Sequence, residues 1–340
     1  MSALKPSDHP KVLPPRVGVL LLNLGTPDAT DYWSMRRYLS EFLSDRRVIE
    51  SPSPLLWQLI LQGSILATRP QKSGANYEKI WDREANDSPL RVITRRQAEK
   101  LQARLGEGVL VDFAMRYGNP STPSRLQAMQ EAGCHRVLLA PLYPQYAGAT
   151  TATANDRAFD ALKTMRWQPA VRTLPPYYDE PAYVDALARS IAEGVAALDF
   201  EPDVVLTSYH GMPKEYLLKG DPYHCQCLKT TRLVREHLGW PEDKLMVTFQ
   251  SRFGGGEWLQ PYTDKTLESL PDEGKKKIAI VAPAFSVDCI ETLEEISITG
   301  REQFEHAGGE RYAYIPCLND SDGGMAMLES IVRNELGGWL

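Results

Sequence analysis

Residues 203–213 read Asp203-Val204-Val205-Leu206-Thr207-Ser208-Tyr209-His210-Gly211-Met212-Pro213. Val204, Val205 and Leu206 are consecutive and apolar, without the polar alternation of a strand that has one wet face. Such a run predicts a strand over 203–208 buried on both sides, as in a parallel sheet. Gly211 and Pro213 then turn the chain, so His210 is expected at the carboxyl end of that strand.

Similar runs lie on either side, at residues 17–22, 109–115, 136–142, 245–249, 277–282 and 312–315. Between them, residues 88–105, 121–132, 181–198 and 228–238 have amphipathic helical spacing. Strand and helix in alternation predict right-handed βαβ units and open parallel sheets, an α/β fold. Residues 166–178 are rich in Trp, Pro and Tyr and weakly periodic. They are expected to cross from a first lobe, 16–165, to a second, 179–320. Ligands of such sheets bind beyond the carboxyl ends of the strands, so the residues after each run matter most.

Composition narrows the function. The chain has 340 residues, 43% hydrophobic and 24% charged, enough for two lobes whose cores need no disulfide or metal staple. Its net charge of −6, from 38 basic and 44 acidic residues, lacks the basic surplus of a nucleic-acid binder. Gly254-Gly255-Gly256 does not match the phosphate-binding glycine patterns, so no nucleotide is implied. Five scattered cysteines, Cys134, Cys225, Cys227, Cys289 and Cys317, do not read as a disulfide framework. Reduced thiols and a cytoplasmic location are the simpler expectation. Residues 1–15 hold four prolines and no apolar run, which predicts a disordered tail. No apolar stretch is long enough to span a bilayer.

Several segments carry chemistry. His210 at a strand end could accept a proton or bind a metal, or be a surface histidine. Residues 282–295 read Ala282-Pro283-Ala284-Phe285-Ser286-Val287-Asp288-Cys289-Ile290-Glu291-Thr292-Leu293-Glu294-Glu295. Asp288, Glu291 and Glu295 are spaced i, i+3, i+7, which puts them on one α-helical face that Glu302 would extend. That row could relay protons or hold a hard cation, or be a solvated stripe favoured by the helix dipole. Met115-Arg116-Tyr117 and Tyr143-Pro144-Gln145-Tyr146 deliver aromatic and cationic side chains to other strand ends. They suit a flat ligand bearing carboxylates, or ordinary loop packing. The apolar segment 54–66 is too short to span a membrane. It is a lip over an apolar substrate, a membrane-touching helix, or a helix buried in its own domain. Cys225 and Cys227, beside His224, form a weak metal pattern, and free thiols are the better reading.

Taken together, these segments resemble the ferrochelatase family. The histidine motif Ser208–Pro213 and the acidic segment 282–295 carry the likeness. It continues in Leu21-Leu22-Asn23-Leu24-Gly25-Thr26-Pro27, Ser88-Pro89-Leu90, residues 113–117, residues 143–146, Gln250-Ser251-Arg252 and Trp258-Leu259, in one order over about 16–320. The resemblance implies two Rossmann-like lobes, each a parallel sheet flanked by helices, enclosing a porphyrin cleft, with a final helix over 321–340 packed back on the first lobe. It implies insertion of Fe²⁺ into protoporphyrin IX to give protohaem, with two protons released. His210 and Glu291 match the principal active-site and metal-meeting residues, with Asp288 and Glu295 as a relay. Leu24, Arg116, Tyr117 and Tyr143 match one porphyrin face and Trp258 a tryptophan beside the macrocycle. Ser88 and Arg69 match propionate contacts, and segment 54–66 matches the lip, a potential peripheral membrane contact.

The chemistry agrees with those residue types. A base on one face can take pyrrole protons, and rigid walls that buckle the ring would expose nitrogen lone pairs. A site of His and carboxylate without thiolate passes Fe²⁺ on without trapping it. Some relatives carry a 2Fe–2S cluster on four cysteines. This sequence has no C-terminal cysteine group, and Gly148 falls where one ligand would be, so no cluster and no permanently bound cofactor are expected. The rivals are coproporphyrin III or cobalt as substrate, and a non-catalytic porphyrin- or haem-binding protein.

Overall fold

The computed structural model describes residues 8–9, 13–51 and 53–340. Most of the tail expected over 1–15 lies outside the described residues. All seven expected strands form: β1 (Arg16–Thr26), β2 (Val109–Gly118), β3 (Cys134–Pro141), β5 (Val204–His210), β6 (Leu245–Gln250), β7 (Lys277–Val281) and β8 (Arg311–Ile315). With an eighth, β4 (Ala170–Thr173), they build two four-stranded sheets, ordered β2-β1-β3-β4 and β6-β5-β7-β8, with every pairing parallel. Each sheet repeats one topology, in which its first strand lies between its second and third.

The unalternating runs are explained by what lies on each face. In β1, Val19 and Leu21 enter a core that runs through both lobes, while Leu20 and Leu22 enter a core on the other face of the sheet. In β5, Val205 enters the shared core, while Val204 and Leu206 enter one confined to the second lobe. All are buried, and trimming such a leucine to alanine costs about 2–5 kcal/mol. The helices Pro89–Leu105, Pro181–Ala196 and Asp322–Glu335 contribute Leu101, Leu187 and Leu328 to the shared core. The last helix is also tied to the first of these: Arg104 pairs with Glu329 at 3.1 Å, and Arg333 donates to the Arg104 carbonyl at 2.8 Å.

β4 (Ala170–Thr173) lies within 166–178, which the sequence reading left without a strand. Four residues around a single branched apolar side chain make no visible run. The strand is supported instead from the chain's end, where Arg172 donates to the Glu335 and Gly337 carbonyls at 2.6 and 2.9 Å and covers the Trp339 ring. A second difference concerns the acidic segment. Glu291–Gly300 is a π-helix, and Asp288 precedes it, so the three carboxylates do not share an α-helical face. Wider i→i+5 turns bring Glu291 and Glu295 into line and turn Glu294 away. Glu302 sits exposed in the separate helix Arg301–His306.

Candidate active site

The reversal of strand order in the second sheet lies between β5 and β7, the place where open α/β sheets bind ligands. His210 ends β5, and the acidic segment follows β7. Gly211 is required beside it, because a Cβ there would meet the Gln250 carbonyl oxygen at 2.5 Å and Trp258 at 3.4 Å. Gly211 N donates to that carbonyl at 2.7 Å, and Pro213 bridges to Trp258. The His210 ring is thereby held with Nδ1 2.6 Å from the Gly211 carbonyl oxygen. That contact requires the proton on Nδ1 and leaves the Nε2 lone pair available.

Gln250 brings the two strand ends together. It is the register partner of His210, and its Nε2 donates to the Glu291 carbonyl at 2.8 Å. Phe285, from the loop after β7, lies 6.4 Å from the His210 ring between centroids. Burial pushes the Glu291 carboxyl above its ordinary range, while Cys289 and the nearby His210 pull it back. Burial also raises Glu295, whose carboxylate accepts from Ser251 Oγ at 2.5 Å. Ser251 reaches it from a left-handed backbone conformation, φ +64°. Two adjacent carboxyls that hold protons more readily than usual suit proton transfer near neutral pH. Asp288 is differently placed: it is buried and accepts from Tyr314, Asn319, Thr292 and the Cys317 amide.

The first lobe supplies the opposing wall from its own strand ends. Leu24 is near the end of β1, Arg116 and Tyr117 near the end of β2, and Tyr143 just beyond β3. Tyr143 is buried, and its hydroxyl has no hydrogen-bond partner among the described residues. Burial pushes that phenol up; Arg116 lowers it, and Cys289 and Glu291 raise it. Tyr77 and Tyr38 also feel the charge of Glu291. The tyrosine wall therefore faces Glu291 across the junction of the lobes. Ile290 packs into the first-lobe cluster containing Tyr38, Tyr77 and Tyr117.

Asp45 is a residue that the sequence reading missed. It pairs with Arg116, and accepts from Tyr117 at 2.8 Å and from Thr153. Burial opposes its ionisation. Thr153, the Arg47 amide, Tyr117 and Arg116 outweigh this and hold its carboxyl below the usual range. Only proximity to the basic pair Arg46-Arg47 marks it in sequence, because its partners lie about 70 to 110 residues away.

The remaining candidates are placed less uniformly. Trp258 is buried beside Gly211, with its ring 5.2 Å from that of Phe253. Arg69, on the helix Leu66–Ile80, is exposed and lies over Phe253 at 5.7 Å. Ser88 is 1% exposed, and its hydroxyl caps the helix Pro89–Leu105 by accepting from Arg91 N. In the apolar segment, the helix Pro54–Ile60 buries none of its residues, whereas Leu61 and Leu66 are fully buried in the cluster with Tyr38 and Tyr77. Cys225 is exposed and Cys227 buried, and all five cysteines are free.

The ferrochelatase family model matches residues 16–336. A ferrochelatase of Allorhizobium ampelinum is 63% identical over 337 residues, 98% of each chain. One from Rhizobium meliloti is 61% identical over 336 residues, covering 98% of this chain and 99% of the relative. Among solved structures, SirB from Bacillus subtilis with Fe³⁺ superposes with a TM-score of 0.59 at 10% identity, over 95% of this chain and 97% of that one, a likeness of fold. The chain belongs to the ferrochelatase family.

Proposed function

We propose that this chain, a ferrochelatase that inserts Fe²⁺ into protoporphyrin IX, divides the reaction between its lobes. Residues 16–165 and 179–320 are taken as the lobes, with the macrocycle between them. Leu24, Arg116, Tyr117 and Tyr143 hold one face of the ring, while His210 and Trp258 meet the other. His210 Nε2 offers one lone pair on that face, to a pyrrole proton or to the incoming metal, as its Nδ1 contact leaves it free to do. Glu291 stands next, and Glu295 with Ser251 leads protons outward. The ring loses two N–H protons as four nitrogens bind one Fe²⁺, so charge balances without a redox step. Asp288, already satisfied by four donors, anchors the start of the π-helix. Arg69 is the exposed cation for a propionate, and Ser88 serves mainly as a cap.

The observation that carries this reading is the meeting of His210 and Glu291 at one switch point, opposite the tyrosines of the other lobe. His210→Ala is expected to slow metallation of protoporphyrin IX by roughly 10²–10⁴-fold and to leave porphyrin binding, read by fluorescence quenching, intact. Turnover at the parent rate would overturn the role of His210. The protein works without a 2Fe–2S cluster: purified enzyme is expected to be active with no acid-labile sulfide. No helix among the described residues is long and apolar enough to cross a membrane. We place the enzyme in the cytoplasm, touching the membrane through Leu55, Leu56 and Leu59.

A further inference from the structure

A cavity of about 590 Å³ on the first lobe is lined from the helices Tyr32–Leu43 and Thr153–Thr164 and from β2. Four guanidiniums border it, Arg36, Arg37, Arg116 and Arg157, against the carboxylates of Glu41 and Asp45. Both carboxylates are occupied. Asp45 is held by Arg116, Tyr117 and Thr153, and Glu41 accepts from Gly118 N at 2.9 Å. Three of the arginines are not. Arg36 gives one N–H to Gln62 at 3.1 Å, Arg37 gives one to Ser34 at 2.9 Å, and Arg157 makes no hydrogen bond among the described residues.

Most donors of three guanidiniums are thus unused around one open space, in a chain whose net charge is −6. Like charges gathered this closely repel one another, and a multivalent anion between them would relieve the repulsion. The guanidinium fork also matches carboxylate and phosphate oxygens two at a time. We propose that this cavity binds a small multivalent oxyanion, of the polyphosphate or the polycarboxylate type. Arg116 forms part of its wall, so the occupant would share a guanidinium with Asp45 and lie one residue from Tyr117.

Calorimetric titration of the full chain with pyrophosphate, and separately with citrate, tests this at constant ionic strength against a chloride blank. Saturable binding of at least one is expected, weakened about tenfold or more in the Arg37→Ala/Arg157→Ala double variant. The tighter of the two anions identifies the source. No saturable binding of either, or binding unchanged in the double variant, would overturn the proposal. Should circular dichroism show the double variant unfolded, Arg157→Gln replaces it with the same two outcomes. The measurement uses neither porphyrin nor iron, so its failure is separable from failure of the catalytic roles.

Discussion

The two lobes share one strand order, yet their switch points carry opposite chemistry. At the carboxyl ends of β1, β2 and β3 lie Leu24, Arg116, Tyr117 and Tyr143, with the cation and one phenol anchored on the half-buried Asp45. At the end of β5 and in the segment after β7 lie an imidazole whose Nδ1 alone is engaged and two carboxyls that burial makes more basic. The first set keeps its charges satisfied and rigid, which suits holding a flat ring. The second leaves groups able to change protonation, which suits taking protons from that ring. On the proposed reading, a repeated scaffold separates binding from chemistry by what each strand end presents.

The sharpest way to break this division is to remove one anchor from each side. His210→Ala should lower turnover by roughly 10²–10⁴-fold, the usual worth of a positioned base, with porphyrin affinity unchanged. Steady-state kinetics beside fluorescence titration separates the two quantities, and a loss confined to KM would place His210 on the binding side. Asp45→Ala should do the reverse. It leaves the half-buried Arg116 with Thr153 but no carboxylate partner, at a cost of about 1.5–3 kcal/mol in folding stability. It should raise KM for porphyrin more than it lowers kcat. Denaturant unfolding checks the first effect, and an unchanged midpoint would remove Asp45 from the argument.

The carboxyls allow a smaller test through pH. Glu291 and Glu295 sit above their ordinary value of 4.5 in the folded chain, so the fold prefers their protonated forms. The unfolded chain releases those protons first as pH rises. Stability is therefore full below about pH 4 and falls through the window from 4.5 up to the folded value. Glu291→Gln cannot ionise, so its melting temperature should exceed the parent's at about pH 8 and match it at about pH 4, while its turnover falls. Equal melting at both pH values would mean that Glu291 is not desolvated in the apo protein.

Much of this was legible in the sequence, and the exceptions have physical causes. Strands of five to eleven residues packed on both faces must be apolar throughout, so they stand out as runs. His210 ends one of those runs and Glu291 lies in the segment that follows another, and parallel-sheet topology gives such positions meaning. β4 escaped because its support comes from Trp339 and the final carbonyls, about 165 residues away. The π-helix escaped because its wider hydrogen-bond pattern leaves no periodic mark in a ten-residue segment. The α-helical expectation therefore put Asp288 in the carboxylate row and hid the pairing of Glu294 with Lys79, 2.7 Å away. Asp45 and the tyrosines Tyr38 and Tyr77 join the site only through partners distant in the chain.

The last contrast between the lobes is the connection after the first strand of each. In the first lobe it includes the helix Pro54–Ile60, which exposes Leu55 at 83%, Leu56 at 56%, Leu59 at 72% and Ile60 at 44%. In the second it includes Lys214–Leu218 and Tyr223–Leu238, where the exposed large apolar side chains are Leu218 and Leu228. A four-residue apolar face that the fold does not cover retains its hydrophobic free energy for another surface, at about 25 cal/mol per Å² buried. Leu55→Asn/Leu59→Asn should therefore change folding stability by no more than about 0.5 kcal/mol, because neither side chain is in the core. Sedimentation with phospholipid vesicles should register a clear loss of bound protein. Paired asparagines at Leu218 and Leu228 should leave that binding unchanged. If the second pair weakens vesicle binding as much as the first, the membrane contact does not belong to the lip. If neither does, the lip's apolar face is reserved for the porphyrin, and the variant's KM for porphyrin should rise instead.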